Sequence, residues 1–534
     1  MIPVLTVAQM REIDQNAISN NLTIGYSYML KAGLGLFNAA KDMLSDSRNG
    51  EILIFCGKGN NGGDGYVVGR MLLDAGYKVM CFSLCDVEEL SRESKIAYDE
   101  YVSRKGNILV LSDAEELSNI SRYSLIIDAI LGTGLKGDPR GLCAMAVEAI
   151  NSCGVPVLAV DTPSGLNCDT GVPMNPCVKA TTTVTMGFPK LGFYFYPGKS
   201  NVGKLIVHDL NYPDEIIAAN RKTIFFPTPN ILRRFLPARK PDGSKIEHGL
   251  ALLVCGSRGY TGSATLVADA ALRTGCGMTH LAAPESIIST LSTKLTETVL
   301  HPLNETGLGT PAYSALEQIR ELASGKNALC IGPGISHDIQ TVSLVKDILK
   351  SVALPTILDA DGINAFKGLS EELKNHAGEL VITPHRGEWT RLFGELPDEP
   401  EAVIETLRER SHEFRMTILL KGNPTIISDP DGVIYISPFG NSALATAGTG
   451  DVLSGIIVSL IAQGAPVTQA AILGSYIQGE AGMFASRRLG EYSVIARDVI
   501  SYIFRVLRAL TEYPLQIEKE KKQLEIKINQ VSDL

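Results

Sequence analysis

Residues 51–70 read EILIFCGKGNNGGDGYVVGR and decide the fold expected for the first half of the chain. The run EILIFC is apolar, and Gly57, Gly59 and Gly62 follow it with the G-x-G-x-x-G spacing of a dinucleotide-binding turn. We therefore expect a strand, a glycine-rich turn and a helix that begins near Asp64. The aspartate complicates this interpretation, because a carboxylate would repel a pyrophosphate resting on the N-terminus of that helix.

The pattern that starts at this stretch continues to about residue 210. Short apolar runs such as KVMCFSL, NILVL, SLIIDAI and VPVLAVDT are separated by amphipathic segments such as VEELSRESKIAYDEYVSRKG. Continuous apolar strands that alternate with helices predict a parallel sheet covered on both faces. The runs KATTTVTMG and KLIVHDL are expected to close that sheet. Before it, Thr6 and Gln9 have capping-box spacing and predict an opening helix.

A second series of alternating strands and helices follows a stretch of different composition. Residues 211–245 carry several prolines and basic residues without a clear period, so we place the domain boundary there. The runs GLALLVCG, MTHLAAP, ALCIGPG, TILDADG, ELVITPH and TILLKGN then predict a second α/β domain. PTIISDPDGVIYISP predicts a hairpin around Asp431 and Gly432, and three helical stretches complete the domain.

Composition narrows the classes of function. A chain of 534 residues is too long for one core, and two to four domains are expected. The net charge of -9 is spread without a basic block, which argues against nucleic acid or an anionic membrane as the main partner. Any bound phosphate must therefore be held by local backbone amides and single cations.

Targeting and redox signals favour a cytoplasmic protein. The N-terminus has no basic segment before a long apolar one, so no signal peptide is expected. The longest apolar stretch, near residues 452–465, is shorter than the ~20 residues that a membrane span requires. The ten cysteines are scattered without a zinc-binding spacing. We expect them to be reduced and mostly buried, as in a cytosolic protein.

Three polar loops of the first half fall at the predicted carboxyl ends of strands, where open parallel sheets bind ligands. They are residues 59–64, 128–138 and 161–171. Asn, Asp and Ser oxygens together suit a hard cation, and the glycines allow a ligand to approach closely. Their convergence predicts a binding site.

A structural role is the alternative for the first of these loops. Asn60, Asn61 and Asp64 alone would equally build an Asx turn and a helix cap. Asp128, Asp161 and Ser164 at neighbouring strand ends favour the binding site.

Four segments of the first half are similar to those of a known family. GNNGGDGYVVGR, DAILGTGLKGD, VDTPSGLNCDTG and TVTMGFPKLGFYFYPGKSNVG resemble, in this order, the N-terminal domain of bifunctional NAD(P)H-hydrate repair enzymes. The resemblance covers about residues 1–214. It implies a Rossmann-like three-layer α/β/α domain that interconverts the R and S forms of hydrated NADH and NADPH, called NADHX and NADPHX, at C6 of the nicotinamide ring. Leu30 stands where the family usually has Glu, which predicts fewer polar contacts from the early helix.

The resemblance also implies residue roles in this domain. Asn61, Asp128 and Ser164 would hold a potassium ion, and Asp161 would contact the hydrate. We predict that Asp161 is catalytic, because inversion at C6 needs a proton donor or acceptor within hydrogen-bond reach. The opening loop would thus hold a dinucleotide whose altered ring and ion call for polar side chains. Further contacts with the hydrate are implied for Asn60, Asn61, Gly62, Gly63, Asp64, Gly132, Thr133, Gly134, Leu135, Lys136, Gly137 and Asp138.

In the second half, SALATAGTGDVLSGI at residues 442–456 is the most informative stretch. Gly448 and Gly450 precede a clear helix, and a glycine-rich turn that opens a helix offers unpaired N–H groups to an anion. Asp451 lies in the first turn, where it is placed to accept a proton from a hydroxyl while phosphoryl charge develops nearby. Taken alone, Asp451 fits the role of a helix cap equally well.

Other strand ends add polar groups to this site. KGNPT brings Lys421, which has the reach to contact a phosphate, and DADGIN at residues 359–364 brings two carboxylates. TPHRGE brings His385 and Arg386, and GSRGYTGSA at residues 256–264 is a further glycine-rich turn between a strand and a helix. A histidine after a strand is usually structural, so His385 is selected only together with these neighbours.

These segments resemble, in order, the C-terminal dehydratase domain of the same family, a ribokinase-like α/β fold, over about residues 228–505. The resemblance implies ADP-dependent dehydration of the S-hydrate, which gives NAD(P)H, AMP and phosphate. Phosphoryl transfer to the C6 hydroxyl would come first, because phosphate is a far better leaving group than hydroxide. Mg²⁺ would bridge the nucleotide phosphates. We choose ADP over ATP because such fusions resemble the prokaryotic enzymes.

The family pattern assigns residues here as well. Ala264, Gly334, His385 and Asp451 would contact the hydrate, and Asp451 would be catalytic by deprotonating its hydroxyl. Ser263 and Gly362 each replace a family Ala, and both changes are small. Nucleotide contacts are implied for Lys421, Gly422, Asn423, Pro424, Thr425, Ser442, Ala443, Leu444, Ala445, Thr446, Ala447, Gly448, Thr449 and Gly450.

The sequence thus predicts an epimerase domain (1–214), a linker (215–227), a dehydratase domain (228–512) and a charged, solvated tail (513–534). NADHX or NADPHX and ADP are the expected ligands, and a homo-oligomer is expected. One alternative is a ribokinase-type small-metabolite kinase fused to a non-catalytic dinucleotide-binding module. That kinase would accumulate a phosphorylated product. A second alternative makes the first half a sensing or interaction module.

Overall fold

The computed structural model describes residues 1–19, 21–44, 50–135, 137–219 and 223–512. It divides at Ile224, within the linker predicted from the sequence. One compact unit consists mainly of residues 2–224 and the other mainly of residues 225–398 and 402–512. The charged tail predicted at residues 513–534 lies outside the described residues.

The first unit alternates strands and helices as predicted. Thr6 caps its first helix through a capping box with Gln9, which confirms that prediction. Its helices are α1 (Val7–Ile18), α2 (Leu22–Met43), α3 (Asn60–Asp74), α4 (Arg92–Ser103), α5 (Leu142–Ser152), α6 (Lys199–Val202) and α7 (Asp214–Ala219). Its strands are β1 (Ile2–Pro3), β2 (Glu51–Cys56), β3 (Lys78–Ser83), β4 (Asn107–Val110), β5 (Leu125–Ala129), β6 (Val157–Val160), β7 (Thr182–Met186) and β8 (Lys204–His208).

Seven of these strands form one parallel sheet in the order β4-β3-β2-β5-β6-β7-β8. The central strands β5 to β7 are buried along their whole length, which explains their continuous apolar sequences. Strand order reverses between β2 and β5, so the loops that follow these two strands diverge. A ligand-binding crevice is expected at such a switch point.

The second unit is also an α/β structure. Its strands are β9 (Ile224–Phe226), β10 (Leu250–Val254), β11 (Met278–Pro284), β12 (Val299–Leu303), β13 (Ala328–Ile331), β14 (Thr356–Leu358), β15 (Leu380–Ile382), β16 (Thr417–Leu420), β17 (Thr425–Ser428) and β18 (Ile434–Ser437). Its helices are α8 (Pro229–Phe235), α9 (Thr261–Arg273), α10 (Glu285–Ser292), α11 (Leu316–Ala323), α12 (Ile339–Ser351), α13 (Asp361–Asn364), α14 (Arg386–Phe393), α15 (Pro400–Phe414), α16 (Thr449–Ala462) and α17 (Val467–Leu489), followed by helical residues 496–512.

Its sheet runs in the order β9-β18-β17-β16-β15-β14-β13-β10-β11-β12. Strands β10 to β16 are parallel, whereas β17 and β18 form the predicted antiparallel hairpin. Strand order reverses between β10 and β13, which places a second switch point there. The apolar helix α16 is buried from Val452 to Ala462 and belongs to the main core of this unit.

Two local predictions were wrong. Helix α3 begins at Asn60 rather than near Asp64, because the backbone of the glycine-rich turn is already helical there. Strand β12 was missed, since its sequence VLHPL contains a proline, which sheets tolerate at an edge, and β12 is the last strand of its sheet. Among the described residues, no helix combines the length and the apolar character needed to cross a bilayer.

Close backbone contacts hold the first glycine-rich turn against the end of β5. A Cβ atom at Gly57 would lie 1.9 Å from the carbonyl oxygen of Ile130, and one at Gly62 would lie 1.8 Å from that of Gly57. Gly59 differs, because a Cβ atom there would meet nothing within 4 Å. Gly57 and Gly62 are therefore required for packing, and Gly59 is not.

We predict that Gly62→Ala destabilises the first unit by about 3 kcal/mol, since the new methyl group forces the backbone apart. The matched control, Gly59→Ala, should change stability by less than about 1 kcal/mol, because its methyl group has space. Calorimetry of the full chain measures both. The single tryptophan, Trp389, lies in the second unit, so its fluorescence identifies that unit's transition. Equal effects of the two substitutions would contradict the prediction.

Candidate functional site

A cavity of about 800 Å³ lies in the first unit at the carboxyl ends of its strands. The turn after β2 contributes residues 57–61, and the loop after β5 contributes residues 130–135. Asp161 and Lys190 line it from the ends of β6 and β7. The three polar loops predicted to converge therefore do so, at the switch point of the sheet.

Asp128 is fully buried at the end of β5, where the Ile130 amide donates to its Oδ1 at 3.3 Å and Ser164 makes two further hydrogen bonds to it. Its Oδ1 accepts a hydrogen bond of 2.6 Å from Ser164 Oγ, and its Oδ2 accepts one of 2.8 Å from the Ser164 amide. Burial raises the pKa of Asp128 to about 6. Asn61 Nδ2 donates to the Leu131 carbonyl at 3.2 Å, and the Leu131 amide donates to Ser164 Oγ. The three residues predicted to hold potassium thus meet around Leu131.

Asp161 adopts a left-handed backbone conformation, with φ of 61°, which costs a non-glycine residue about 1 kcal/mol. Three groups donate to its Oδ1: Lys190 Nζ at 2.5 Å, the Met186 amide at 3.0 Å and Thr185 Oγ1 at 3.1 Å. Lys190 Nζ also donates to Thr185 Oγ1 at 2.8 Å. Only 1% of the Lys190 side chain is exposed, so this is a buried ion pair.

Two further carboxyl groups face the same cavity. Burial and the nearby charges of Asp161 and Asp14 raise the pKa of Asp64 well above its usual value. Burial also raises the pKa of Asp14, against the opposing effect of a hydrogen bond from Tyr212. Asp64 therefore holds a proton more readily than a free aspartate does, and it lies beside an aspartate that is paired with a lysine.

The remaining predicted contacts divide into cavity-lining and packing residues. Asn60 lines the cavity and accepts a hydrogen bond from Ser91, and no side chain caps α3, so the helix-cap alternative was wrong. Gly62 and Gly63 are buried by close packing. Asp138 accepts a hydrogen bond from the Asn175 amide. Lys136 lies outside the described residues. The loop residues on the cavity wall are Gly132, Thr133, Gly134 and Leu135.

In the second unit, Asp451 lies in the first turn of α16, two residues after Thr449, which begins the helix. Burial and the nearby Asp359 raise its pKa to about 6, although a hydrogen bond from Ser263 lowers it. The N-cap is Gly448, with φ of 87° and no side-chain cap, so Asp451 is not the cap of this helix.

A buried ion-pair network lies beside Asp451. Lys421 Nζ is 2.8 Å from Asp359 Oδ1 and 3.6 Å from Glu388 Oε2. Ser454 Oγ donates to Asp359 Oδ2 at 2.7 Å. Burial would raise the pKa of Asp359, but the charge and hydrogen bond of Lys421, together with other hydrogen bonds such as that from Ser454, hold that pKa below its usual value. A Cβ atom on Gly450 would lie 3.6 Å from Lys421 Nζ, which brings the network to the start of α16.

The predicted hydrate contacts of the second unit differ in exposure. His385 is the N-cap of α14, and its Nδ1 accepts from the Gly387 amide at 2.9 Å, while about half of its side chain is exposed. Gly334 packs on Ser263, which in turn bonds to Asp451. Ala264 is fully buried against Gly256.

The two predicted nucleotide segments present several exposed residues. Lys421 of the first segment lies close to Gly450 of the second, at the start of α16. Pro424, Ala443 and Thr449 are buried, and Thr449 Oγ1 donates to the Leu444 carbonyl at 2.8 Å. Thr425 Oγ1 donates to the Gly422 carbonyl. The exposed residues are Gly422, Asn423, Ser442, Ala445 and Ala447, and the half-buried ones include Thr446 and Gly448.

Comparison with known proteins gives a consistent result for both units. A family described as NAD(P)H-hydrate dehydratase matches residues 251–505, and one described as YjeF-related protein N-terminus matches residues 25–192. The bifunctional NAD(P)H-hydrate repair enzyme of Moorella thermoacetica is 39% identical over 514 residues, which cover 95% of this chain and 97% of that protein. The chain belongs to this family.

Other members of the family and solved structures are also similar. The repair enzyme of Thermofilum pendens is 35% identical over 515 residues, which cover 95% of this chain and 97% of that protein. The solved structure of ADP/ATP-dependent NAD(P)H-hydrate dehydratase from Bacillus subtilis, co-crystallised with ATP and Mg²⁺, is 27% identical with a TM-score of 0.46. That likeness covers 53% of this chain and 98% of the Bacillus subtilis chain.

Several polar residues of the two sites were not identified from the sequence. Lys190 lies in a segment used only for the resemblance, and its distance of 29 positions from Asp161 hides their contact. Arg11 donates to the Thr133 carbonyl at 3.2 Å at the exposed rim of the cavity, and its position in α1 gave no sign of this. Glu388 and Ser454 were missed because single acidic and hydroxyl residues on helices are common.

We predict that Lys421→Met destabilises the second unit by about 3 kcal/mol, because it leaves Asp359 buried without its cation. The double substitution Lys421→Met with Asp359→Asn should recover most of that loss. Lys350→Met removes a more exposed ion pair with Glu372 and should cost less than about 1 kcal/mol. Denaturant unfolding followed by Trp389 fluorescence measures all three. A loss for Lys421→Met no larger than that for Lys350→Met would refute the prediction.

Proposed function

We propose that this chain repairs hydrated NADH and NADPH with two sites. The first unit interconverts the R and S hydrates at C6, and the second dehydrates the S-hydrate at the expense of ADP, giving NAD(P)H, AMP and phosphate. The observation that carries the proposal is the position of one aspartate in each unit of this family member, beside loops or a helix start that suit a ligand. The two aspartates are Asp161, in a cavity of about 800 Å³, and Asp451, at the start of α16.

In the first unit, the cavity is large enough for a dinucleotide. The backbone of residues 57–61 and the rim residue Arg11 provide donors for the pyrophosphate. Asp161 contacts the C6 region and exchanges a proton there, which is the role proposed for it as a catalytic residue. Asn60, Asn61, Asp64 and residues 132–135 complete the contacts with the hydrate.

The residues around Asp128 fit a potassium ion. Asn61, Asp128 and Ser164 supply hard oxygen donors, the chemistry that such cations prefer. The Asp128 carboxylate is buried, and among the described residues no cationic side chain pairs with it. When bound, potassium would neutralise this carboxylate and fix the loops after β5 and β6. The ion would thus act by organising the cavity.

In the second unit, the start of α16 and Lys421 offer a positive surface to the nucleotide phosphates. Asp451 removes the proton of the C6 hydroxyl as that oxygen attacks the terminal phosphoryl group of ADP. The resulting phosphate ester then breaks its C6–O bond, because phosphate leaves far more readily than hydroxide. His385 presents its exposed imidazole edge to the hydrate, and Ser263 and Gly334 border Asp451.

The same unit has donors that fit Mg²⁺. Asp359 and Glu388 are both buried, and the single ammonium of Lys421 faces both of them. Carboxylate oxygens of this kind are the ligands that a hard cation prefers. Mg²⁺ would supply charge neutralisation for the phosphates. A cytoplasmic location and a homo-oligomer stay predictions of the sequence.

The first test uses two variants that should separate the two activities. Asp161→Asn is expected to stop R-to-S conversion, so that recovery of NAD(P)H from mixed hydrates with ADP halts when the S-hydrate is consumed. Asp451→Asn should abolish NAD(P)H formation, while the two hydrates still interconvert. Chromatography of the hydrates and absorbance of the reduced nicotinamide follow the two steps. Potassium is expected to accelerate the first step in the unsubstituted chain and less so in Asp128→Asn.

The two alternatives give different results in the same assay. A small-metabolite kinase would accumulate a phosphorylated product instead of free phosphate. A sensing module would bind the hydrates without changing the R to S ratio. Either result in the unsubstituted chain would overturn the proposal for that unit.

The pKa of Asp451 predicts the pH dependence of the dehydration step. Because the proposed base acts when ionised, the rate should fall as the pH decreases through about 6. Ser263→Ala removes a hydrogen bond that lowers this pKa, so the acid limb should move to higher pH. Ser289→Ala, an exposed serine on α10, is the matched control and should leave the profile unchanged. An unchanged profile in Ser263→Ala would contradict this prediction.

The same carboxyl also affects stability, with a defined sign. Its pKa rises from a usual value near 3.8 to about 6 on folding, so the folded chain keeps a proton that the unfolded chain has released between these values. Its contribution to stability is therefore lost as the pH rises through that window. Asp451→Asn should remove this dependence, which unfolding at pH 4 and pH 7 measures.

A further inference from the structure

The epimerase cavity contains an excess of acid over base in its interior. Asp14, Asp64 and Asp161 line it, and among the described lining residues Lys190 is the one buried cation. Arg11 also lines the cavity, but it is exposed. The position of Lys190 therefore decides which of the three carboxyl groups has a buried cationic partner.

Lys190 pairs with Asp161. Its ammonium lies 2.5 Å from Asp161 Oδ1, and Thr185 bridges the two residues with contacts of 3.1 and 2.8 Å. Together with the Met186 amide, all the donors in the described part of the chain reach the same oxygen. The second oxygen, Oδ2, is left for a ligand in the cavity.

Within the ranges that the structure describes, Asp64 has no such donors around it. Among the described residues, no side chain or amide donates a hydrogen bond to its carboxyl group, and its neighbours in charge are Asp161 and Asp14. Burial next to two carboxyl groups favours the neutral acid. The cavity therefore contains one aspartate paired with a lysine and one to which the described residues offer no cationic partner, the arrangement that assigns a base and an acid.

We infer that Lys190 is a positioning residue of the epimerase: it holds Asp161 as a carboxylate with Oδ2 directed to the substrate, while Asp64 serves as the opposing proton donor. This inference rests on the epimerase function proposed above. Lys190 acts through Asp161 and does not itself exchange a proton with the substrate. The two aspartates contact the reacting atoms and are the catalytic residues.

The resulting step balances in atoms and charge. Asp64 gives its proton to the C6 hydroxyl, the C6–O bond breaks and water leaves, while the lone pair of the ring nitrogen N1 forms a C6=N1 bond. Water then adds to the opposite face of C6 and gives its proton to Asp161. The reverse reaction exchanges the two roles, and solvent returns the proton between turnovers.

Other titratable groups also act on Asp161 and enter the pH dependence. Asp14, Asp64, Tyr212 and Cys168 interact with it electrostatically, in addition to Lys190. The pKa values of Tyr212 and Cys168 are raised by burial, so both are neutral near pH 7. Without Lys190, Asp161 would face only acids and neutral groups, which favours its protonation.

The test measures the rate of R-to-S conversion against pH in the full chain. Lys190→Met should lower kcat about 100-fold, with little change in KM. The pH of half-maximal rate should rise by about one unit or more. Lys190→Arg keeps the charge and should retain the profile of the unsubstituted chain with a smaller loss of rate. Lys204→Met removes an exposed lysine on β8 and is the matched control.

The outcomes are distinguishable. If the unsubstituted chain converts the hydrates and Lys190→Met loses rate without a change in its pH profile, Lys190 is only structural and the inference fails. If the unsubstituted chain converts nothing, the proposed function itself fails. If Lys190→Met does not fold, the pH profile of Lys190→Arg and the rate of Asp64→Asn test the inference instead. A normal rate in Asp64→Asn, or a displaced profile in Lys190→Arg, would overturn the inference.

Discussion

A carboxylate buried at the end of a strand and paired with one lysine is the constraint on which both sites depend. In the first unit Asp161 follows β6 and its partner Lys190 follows β7. In the second unit Asp359 follows β14 and its partner Lys421 follows β16. A buried ion is costly unless its partner is close and its other hydrogen bonds are made, so each pair fixes the relative positions of two strand ends. The ligand-binding loops are built on those ends.

These pairs also set the protonation of the aspartates beside them. Asp64 and Asp451 each lie near the paired carboxylate without a full ion pair of their own, and both have raised pKa values. In each unit, one aspartate is thus paired with a lysine, and a second, to which the described residues give no such partner, has a raised pKa. Burial alone would raise the pKa of every carboxyl group in the site, and it is the placement of one lysine that makes the members of each pair different.

The sequence predicted the parts of this arrangement that depend on local pattern. Continuous apolar runs identified the central strands, because those strands are buried on both faces, and the polar residues at their ends identified Asp128 and Asp161. The glycine-rich turn before a helix identified Asp451. The pairing of Asp161 with Lys190 was not predictable, because it depends on which strands are neighbours in the sheet and which oxygen each donor reaches. The start of α3 was misplaced because the backbone of the glycine-rich turn is already helical from Asn60, and no capping side chain marks that position in the sequence.

The two proposed reactions, inversion at C6 and dehydration, differ in the groups that lie beside each aspartate. Exchange of water at C6 interconverts two diastereomers of similar energy, so in the proposed reaction a proton donor and a proton acceptor are sufficient, and the first unit needs no phosphate donor. Net removal of water in one direction requires a better leaving group, which explains why Asp451 lies at a helix start able to bind phosphate. In the proposed reaction, the second unit accepts the S-hydrate, whose hydroxyl lies on one face of the ring. The other stereoisomer would accumulate unless the same chain inverted it, so the acid and base of the first unit complete the reaction of the second.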